Sequence, residues 1–168
     1  MPAIDIRLGR TQDARSIAAM SRDLIEAGLG WKYDAHKVAA LMAERDVLTV
    51  VACDRLGLIG FAIAQFGDER AHLTLLAVRP RSQRQGVARR LMHWLFESAR
   101  VAGIAELSLE LRVGNAAARA FYGSLGFVDS GLVNGYYQRR ESALRMRHVL
   151  RSTASDTMYW QAPSLRRP

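Results

Sequence analysis

The order of apolar and polar residues along the chain predicts a protein that mixes strands and helices. Short apolar runs of strand length alternate with segments whose apolar residues recur every three or four positions. The predicted strands are residues 4–8, 47–53, 58–66, 73–78, 105–112, a strand that begins at Phe127, and 143–150. The predicted helices are one that opens at 11–14, then 35–44, 86–102 and 116–125. The predicted element order is therefore β-αα-βββ-α-β-α-ββ.

The connections between these elements indicate an α/β domain with a mixed, mostly antiparallel sheet. Short turns join the second, third and fourth strands, so we expect these strands to pair antiparallel. A helix connects the fourth strand to the fifth, and this favours parallel pairing of those two strands. In the first helix, Ile17, Met20 and Leu24 form the predicted inward row.

The stretch from Leu73 to Met92 reads as a strand, a polar turn that contains Gly86, and the start of a helix. Backbone N–H groups at a helix N-terminus lack intrahelical acceptors, and the helix dipole adds to their positive potential. A turn of this kind is typical of a phosphate site. Five arginines are expected to surround it: Arg79, Arg81, Arg84, Arg89 and Arg90. The alternative is a helix end on which the arginines are simply solvated.

The composition is that of an ordinary soluble globular domain. The chain has 168 residues, of which 49% are hydrophobic and 24% are charged. We expect residues 1–150 to form the domain and 151–168 to form a polar tail. Cys53 is the single cysteine and lies in an apolar run, where we expect it to fill core space. Neither a leader-like N-terminus nor an apolar run of membrane-spanning length is present, so we expect a cytoplasmic protein without membrane contact.

The net charge of +8 comes almost wholly from arginine, since Lys32 and Lys37 are the only lysines. An excess of basic residues suits an anionic ligand, a nucleic acid or an acidic macromolecular substrate. Arginine-rich codon usage in the source genome explains it equally well. The charge by itself therefore does not select a function.

Two motifs resemble those of a known enzyme family. The first is Gln83-x-x-Gly86-x-Ala88, which is similar to the Q/R-x-x-G-x-G/A signature with which the GNAT superfamily of N-acetyltransferases cradles the pyrophosphate of acetyl-CoA. The second resembles a pattern of the RimI-like bacterial acetyltransferases: Leu109-Glu110-Leu111-Arg112-x-x-Asn115-x-x-Ala118-x-x-x-Tyr122-x-x-x-Gly126-Phe127. The predicted element order also matches the GNAT fold. The resemblance therefore implies acetyl transfer from acetyl-CoA to a primary amine by direct attack.

The resemblance also implies which residues bind acetyl-CoA, and it implies no metal. They lie at the end of the fourth strand, in the turn, and on the following helices: Leu76, Ala77, Val78, Gln83, Arg84, Gln85, Gly86, Val87, Ala88, Asn115 and Tyr122. As in the family, a backbone N–H near Leu76 or Val78 would hold the oxyanion. Asn115 equally suits the N-cap of a helix, and the two roles are compatible.

Glu110 and Tyr122 are the predicted catalytic residues. Glu110 lies between Leu109 and Leu111 on a strand, so it faces the cleft if those two leucines face the core. A carboxylate there could take the proton of the acceptor ammonium, directly or through a water. The alternative is a surface glutamate. The resemblance assigns to Tyr122 the protonation of the leaving thiolate, with a packed core tyrosine as the alternative.

The acceptor site is the least defined part of the sequence. Trp31 and Tyr33 lie in a Gly-containing connection. Either they line a substrate cleft, or their rings pack within a surface loop and stabilise it. Tyr136 and Tyr137 match the aromatic pair of an Arg-Arg-x-Tyr-Tyr segment in RimI-like enzymes, whose arginines this chain lacks. A peptide N-terminus is the first expected acceptor and a small amine the second.

Other functions stay open on the sequence alone. One is a basic module that binds nucleic acid, and another is a GNAT fold that binds acyl-CoA without catalysis. The arginines cluster at one helix N-terminus and not along an exposed stripe with interleaved aromatics, which disfavours nucleic acid. Self-association into a homodimer is left open as well.

Overall fold

Residues 3–137 and 141–150 are described by the computed structural model, and within them seven strands form one sheet. The strands are β1 (Asp5–Leu8), β2 (Val47–Asp54), β3 (Gly57–Phe66), β4 (Arg70–Val78), β5 (Glu106–Arg112), β6 (Val128–Tyr137) and β7 (Glu141–Val149). Their order in the sheet is β1-β2-β3-β4-β5-β7-β6. The β4–β5 pair is parallel, and the other neighbouring strands are antiparallel. The predicted pairing is therefore confirmed, while the predicted tail of residues 151–168 lies outside the described residues.

Four α-helices connect these strands in the described part of the chain. They are α1 (Ala14–Met20), α2 (Ala35–Met42), α3 (Val87–Val101) and α4 (Ala116–Ser124). A 3₁₀ turn at Thr11–Asp13 precedes α1 and a π turn at Ser21–Ile25 continues it, while a second 3₁₀ turn at Pro80–Ser82 precedes α3. The predicted order of elements is confirmed, with most ends shifted by one or two residues.

The sheet carries a hydrophobic core on each face. On one face α3 buries Leu91 and Leu95 against strand residues such as Leu109. On the other face α1 and α2 bury Ile17 and Val38 against Phe61. This two-sided burial explains why the central strands are nearly continuous apolar runs and not alternating ones.

A β-bulge at Thr74 interrupts β4. The register with β3 passes from Leu73 opposite Ala64 directly to Leu75 opposite Ile63, so Thr74 is the extra residue. Before the bulge, Leu73 packs in the core beside α3, and after it Leu75 packs in the core beside α1 and α2. The bulge therefore exchanges the two faces of β4 midway along the strand.

β4 also begins at Arg70, three residues before the predicted start. The prediction missed these residues because Ala71 and Leu73 alternate with polar residues instead of forming a continuous apolar run.

β4 and β5 separate at the bulge. Their parallel pairing covers only Arg70–Leu73 against Glu106–Leu109, whereas β5 stays paired with β7 as far as Arg112. Beyond Leu73, the edge of β4 thus faces an opening in the sheet instead of a neighbouring strand. This opening is where the candidate site lies.

The end of α4 gives a test of the packing between α3, the residues after α4, and β7. Gly126 has φ +96°, and a Cβ built on it would lie 2.7 Å from the His148 ring, which also contacts Phe96 and Phe127. We expect Gly126→Ala to lower the free energy of unfolding by about 2 kcal/mol, because it adds both backbone strain and overpacking. Thermal or urea denaturation measures the change.

Gly123→Ala is the matched control for this prediction. Gly123 lies within α4, and a Cβ there meets no atom within 4 Å. Ala is a better helix former than Gly, so this variant should gain up to about 1 kcal/mol. Equal stability of the two variants would contradict the packing that we assign to Gly126.

Candidate active site

A cleft of about 500 Å³ lies between the end of β4, the turn before α3, and α4. We call it the turn cleft. Its lining includes these residues: Leu24, Leu76, Ala77, Val78, Ser82, Gln83, Arg84, Gly86, Val87, Ala88, Arg89, Asn115, Ala118, Phe121 and Tyr122. All of the residues predicted to bind acetyl-CoA therefore line one cleft, except Gln85, whose amide donates to the Arg81 carbonyl (3.1 Å).

The turn presents the N-terminus of α3 to this cleft. Gly86 has φ +78° at the N-cap, and Arg84 has φ +62°, so the chain passes twice through the left-handed region before the helix begins. The first intrahelical bond is donated by the Arg90 N–H to the Gly86 carbonyl (3.0 Å). The N–H groups of Val87 and Ala88 precede that bond, and both residues line the cleft. The site therefore offers backbone donors and a helix dipole to an anion.

Gln83 fastens the turn to the strand. Its amide donates to the carbonyl of Val78, the last residue of β4, at 2.9 Å. A carbonyl at the end of the strand is thereby satisfied within the protein. The motif glutamine thus fixes the distance between the strand end and the helix N-terminus.

The structure corrects the expected ring of five arginines. Arg79 donates to the Leu58 carbonyl (2.8 Å), and Arg90 donates to the Ile4 carbonyl (3.1 Å). Arg81 pairs with Asp54 (2.7 Å), which joins the 3₁₀ turn to the β2–β3 hairpin. Of the five, Arg84 and Arg89 line the cleft. Arg79 and Arg81 therefore brace the turn, and Arg90 ties α3 to the segment before β1. Because three of the five make contacts within the protein, the nucleic-acid alternative is weakened.

A second cavity of about 240 Å³ continues from the turn cleft into the opening between β4 and β5. We call it the strand cavity. It is lined by Leu24, Ile25, Ala27, Leu73, Thr74, Leu75, Leu76, Leu109, Glu110, Leu111, Arg112, Asn115, Ala118 and Tyr122. Five of these residues also line the turn cleft: Leu24, Leu76, Asn115, Ala118 and Tyr122. The two spaces therefore meet at one junction.

Glu110 faces the strand cavity, as the strand alternation predicted. Its carboxylate binds His72 Nε2 (2.8 Å) and Arg145 Nε (3.1 Å), while Leu109 and Leu111 are buried on the opposite face. The hydrogen bond with His72 lowers the pKa of the Glu110 carboxyl, with Arg145 assisting and burial opposing. On the far side of the ring, His72 Nδ1 lies 3.0 Å from Ser108 Oγ. Glu110 is therefore ionised at neutral pH and held in a fixed orientation.

Tyr122 and Asn115 stand where the two spaces meet. Tyr122 is 8% exposed, and its ring contacts those of Phe121 and Phe127 at centroid distances of 5.2 and 5.5 Å. Asn115 caps α4, because its side-chain oxygen accepts the Ala118 N–H (3.1 Å). The cap fixes the start of α4, and the aromatic contacts hold the Tyr122 ring at the junction, in the lining of the same cavity as Glu110.

The segment after α1 covers the strand cavity with residues other than those predicted. Trp31 and Tyr33 lie outside the lining of both spaces: the Arg22 guanidinium lies over the Trp31 ring at 5.4 Å, and Tyr33 packs in the core beside α1 and α2. Leu24, which the helical period placed in the core, is 36% exposed and lines both spaces. The π turn widens the helix at Ser21–Ile25 and so rotates Leu24 away from the inward row.

Some predicted residues have no described role in the site. Tyr136 and Tyr137 belong to β6, and their side chains lie outside the described part of the structure. Cys53 lies near the end of β2, outside the lining of both spaces, and burial raises the pKa of its thiol.

Among the described residues, no group of His, Cys, Asp or Glu side chains could hold a metal, and no helix is long and apolar enough to span a membrane.

Comparison with known proteins identifies the family. The model of the acetyltransferase (GNAT) family matches residues 18–127, which include β2 to β5 and the turn. The chain belongs to the GNAT acetyltransferase family. This finding confirms the family and the fold that the two motifs indicated.

Two similar proteins of the family carry names that describe acetylation of a protein N-terminus. The ribosomal protein bS18-alanine N-acetyltransferase of Escherichia coli K12 is 43% identical over 89 residues, which are 51% of this chain and 60% of that relative. The Salmonella typhimurium protein of the same name is 39% identical over 102 residues, 59% of this chain and 68% of the relative. The matched region thus spans about three fifths of the first relative's length.

Solved structures agree over nearly the whole fold. The ribosomal-protein-S18-alanine N-acetyltransferase from Escherichia coli superposes with a TM-score of 0.77 at 28% identity, over 92% of this chain and 98% of that one. Ard1 from Thermoplasma volcanium gives a TM-score of 0.78 at 25% identity, over 88% and 97% of the two chains. The RimI-like character predicted from the second motif is therefore confirmed as a resemblance in sequence and in fold.

Proposed function

We propose that this chain is an acetyl-CoA-dependent N-acetyltransferase that acts on a protein N-terminal amine by direct transfer. The observation that carries the proposal is the junction of two spaces. One carries the donors of a helix N-terminus, the other carries an oriented carboxylate, and Tyr122 lines both. An anionic acyl donor and an amine acceptor can thus approach each other from opposite sides.

Acetyl-CoA suits the residues of the turn cleft. The turn presents backbone N–H groups near Gly86, and these groups with the helix dipole suit a pyrophosphate. The unpaired edge of β4 at residues 76–78, which lines the turn cleft, suits an extended amide-containing arm, which can hydrogen-bond to a strand edge. Acetyl-CoA would supply an activated acetyl thioester. Among the chain's own residues, Gln83, Val87, Ala88 and Asn115 would hold it.

Glu110 would act as the base of the reaction. An α-amino group has a pKa of about 7.7–8.0, so most of the acceptor is protonated and non-nucleophilic at neutral pH. The Glu110 carboxylate is ionised and lines the strand cavity, where it can take that proton directly or through a water. Cys53 lies outside both spaces with a raised thiol pKa, which supports transfer without a covalent enzyme intermediate.

A peptide N-terminus that begins with a small residue is the acceptor we propose. The named relatives act on an alanine N-terminus, and a strand cavity of about 240 Å³ has room for a small first side chain. A small-molecule amine is the second candidate. The roles of Trp31, Tyr33, Tyr136 and Tyr137 toward the acceptor, a homodimer and a cytoplasmic location stay predictions.

Mass spectrometry with heavy-labelled acetyl-CoA tests the proposal. The protein is incubated with peptides that begin with Ala, Ser or Leu, with the same peptides blocked at the N-terminus, and with small polyamines. Label on the α-amine of free peptides, and none on blocked ones, is the expected result. Acetyl-CoA binding without any labelled amine would identify a non-catalytic binder and overturn the proposal.

Tyr122→Phe tests the predicted acid. We expect kcat to fall by about 10²-fold, because the leaving thiolate loses its proton donor. Acetyl-CoA binding should stay nearly constant, since the ring and its contacts with Phe121 and Phe127 remain. Phe121→Leu, on the neighbouring position of α4, controls for loss of aromatic packing. A parental kcat in Tyr122→Phe would leave Tyr122 with a packing role only.

A further inference from the structure

Arg112 connects the strand that carries Glu110 to the segment that covers the strand cavity. It is the last residue of β5, two positions after Glu110, so both side chains extend from the same face of the strand. Its Nη2 donates to the carbonyls of Ile25 (3.0 Å) and Ala27 (2.9 Å). Both of these residues line the strand cavity. One guanidinium nitrogen therefore ties the cavity wall to the strand of the proposed base.

Glu26, between those two carbonyls, closes the segment on itself. This residue is 7% exposed, and its carboxylate accepts Ser21 Oγ–H (2.9 Å) and the backbone N–H groups of Lys32 (2.7 Å) and Tyr33 (3.2 Å). Charge-assisted bonds of this kind are shorter and stronger than neutral ones. These bonds close residues 25–33 into an arch, although the segment contains neither a strand nor an α-helix.

We propose that Arg112 is a positioning residue that holds this arch at a fixed distance from Glu110 and thereby restricts the acceptor to small first residues. The inference rests on the proposed function, because it takes the strand cavity to be the acceptor site. The carbonyls of Ile25 and Ala27 cannot move outward without breaking their bonds to Arg112. A bulky first side chain would press on this wall, because the first residue of the acceptor has to share the cavity of about 240 Å³ with the reacting acetyl group.

Steady-state kinetics with two peptides that differ only in their first residue test the proposal. We expect the parental enzyme to prefer the Ala peptide to the Leu peptide by at least about tenfold in kcat/KM, a difference that a closed pocket can supply. In Arg112→Gln, this preference should fall severalfold, and KM for the Ala peptide should rise more than kcat falls. The Kd of acetyl-CoA should stay at the parental value in calorimetry, because Arg112 lies outside the lining of the turn cleft.

Arg22→Gln is the matched control. Arg22 lies in the π turn just before the arch and contacts the arch from outside, with its guanidinium over the Trp31 ring and paired with Asp23. This variant should keep the parental preference and the parental KM. Glu26→Gln is a second variant, which weakens the arch without touching β5. It should relax the preference in the same direction and increase hydrogen exchange at the Lys32 and Tyr33 amides.

Several outcomes would overturn the proposal. One is a folded Arg112→Gln variant that keeps the parental Ala-to-Leu preference, and another is a parental enzyme that has no such preference. Loss of acetyl-CoA binding in Arg112→Gln would reveal a general structural role instead. If the parental protein acetylates no amine, the proposed function fails, and hydrogen exchange of residues 25–33 in Arg112→Gln still decides whether Arg112 holds the arch.

Discussion

Replacing Glu110 with Gln lowers kcat/KM at pH 7 by about 10²–10⁴-fold, the range that a well-placed general base contributes. The acetyl-CoA affinity stays nearly constant, because Glu110 lines the strand cavity and not the turn cleft. Gln keeps the shape of the side chain and can still accept a hydrogen bond from His72. The loss therefore reports the missing proton acceptor and not a collapsed cavity.

The pH dependence distinguishes this role from a structural one. The hydrogen bond with His72, assisted by Arg145, lowers the pKa of Glu110, so its carboxylate stays ionised across the neutral and alkaline range. The rise of kcat/KM with pH should then follow the deprotonation of the acceptor ammonium, with a midpoint at about pH 8. Above that pH the amine is already neutral, so attack no longer requires prior removal of a proton, and the proton released from nitrogen after attack can pass to water. The defect of Glu110→Gln should accordingly be largest near neutral pH and shrink at higher pH.

Glu106→Gln is the matched control for this measurement. Glu106 lies on the same face of β5, makes a longer pair with Arg147 (3.8 Å), and lines neither space. Its substitution should leave the rate and the pH profile at parental values. A parental pH–rate profile in Glu110→Gln would instead assign the proton to water or to another residue.

Gly86→Val weakens acetyl-CoA binding by on the order of 3 kcal/mol, which is about two orders of magnitude in Kd. Gly86 has φ +78°, which a β-branched residue rarely adopts, so Val would rotate the turn and redirect the N–H groups of the α3 N-terminus. A Cβ at this position meets no protein atom within 4 Å. The substitution therefore causes no clash within the protein, and the expected loss falls on ligand binding at the turn.

Two further variants separate the effect of backbone strain from the loss of the anion site. Calorimetry on folded proteins compares the affinities of the three variants for acetyl-CoA. Gly28→Val carries similar strain, since Gly28 has φ +80° and open space around its Cβ, but it lies outside the turn cleft. It should lose stability and keep acetyl-CoA binding. Arg84→Ala should cost less than Gly86→Val and mostly at low salt, because salt screens an exposed charge. Normal binding by Gly86→Val together with no binding by Arg84→Ala would show that the pyrophosphate does not lie at this turn.

The elements that build the site were predictable because their signals are local. Alternation along β5 placed Glu110 opposite Leu109 and Leu111, and it faces away from that core in the structure. The glycine before the apolar helical row marked the start of α3, where Gly86 adopts its left-handed conformation. The helix between β4 and β5 required parallel pairing, which the register shows. Each of these inferences depends on residues that are close in sequence, within one element or between neighbouring elements.

Only the tertiary structure decided which side chains share a space, since those contacts join residues far apart in sequence. Arg112 reaches carbonyls 85 and 87 residues earlier in the chain, and Arg90 reaches one 86 residues earlier. No local period encodes such a contact, so neither the arch nor the bracing role of the arginines was predicted. The bulge at Thr74 and the π turn after α1 each change the phase of a regular element. Packing selects such irregularities, and they decide that β4 opens away from β5 and that Leu24 turns from the core toward the site.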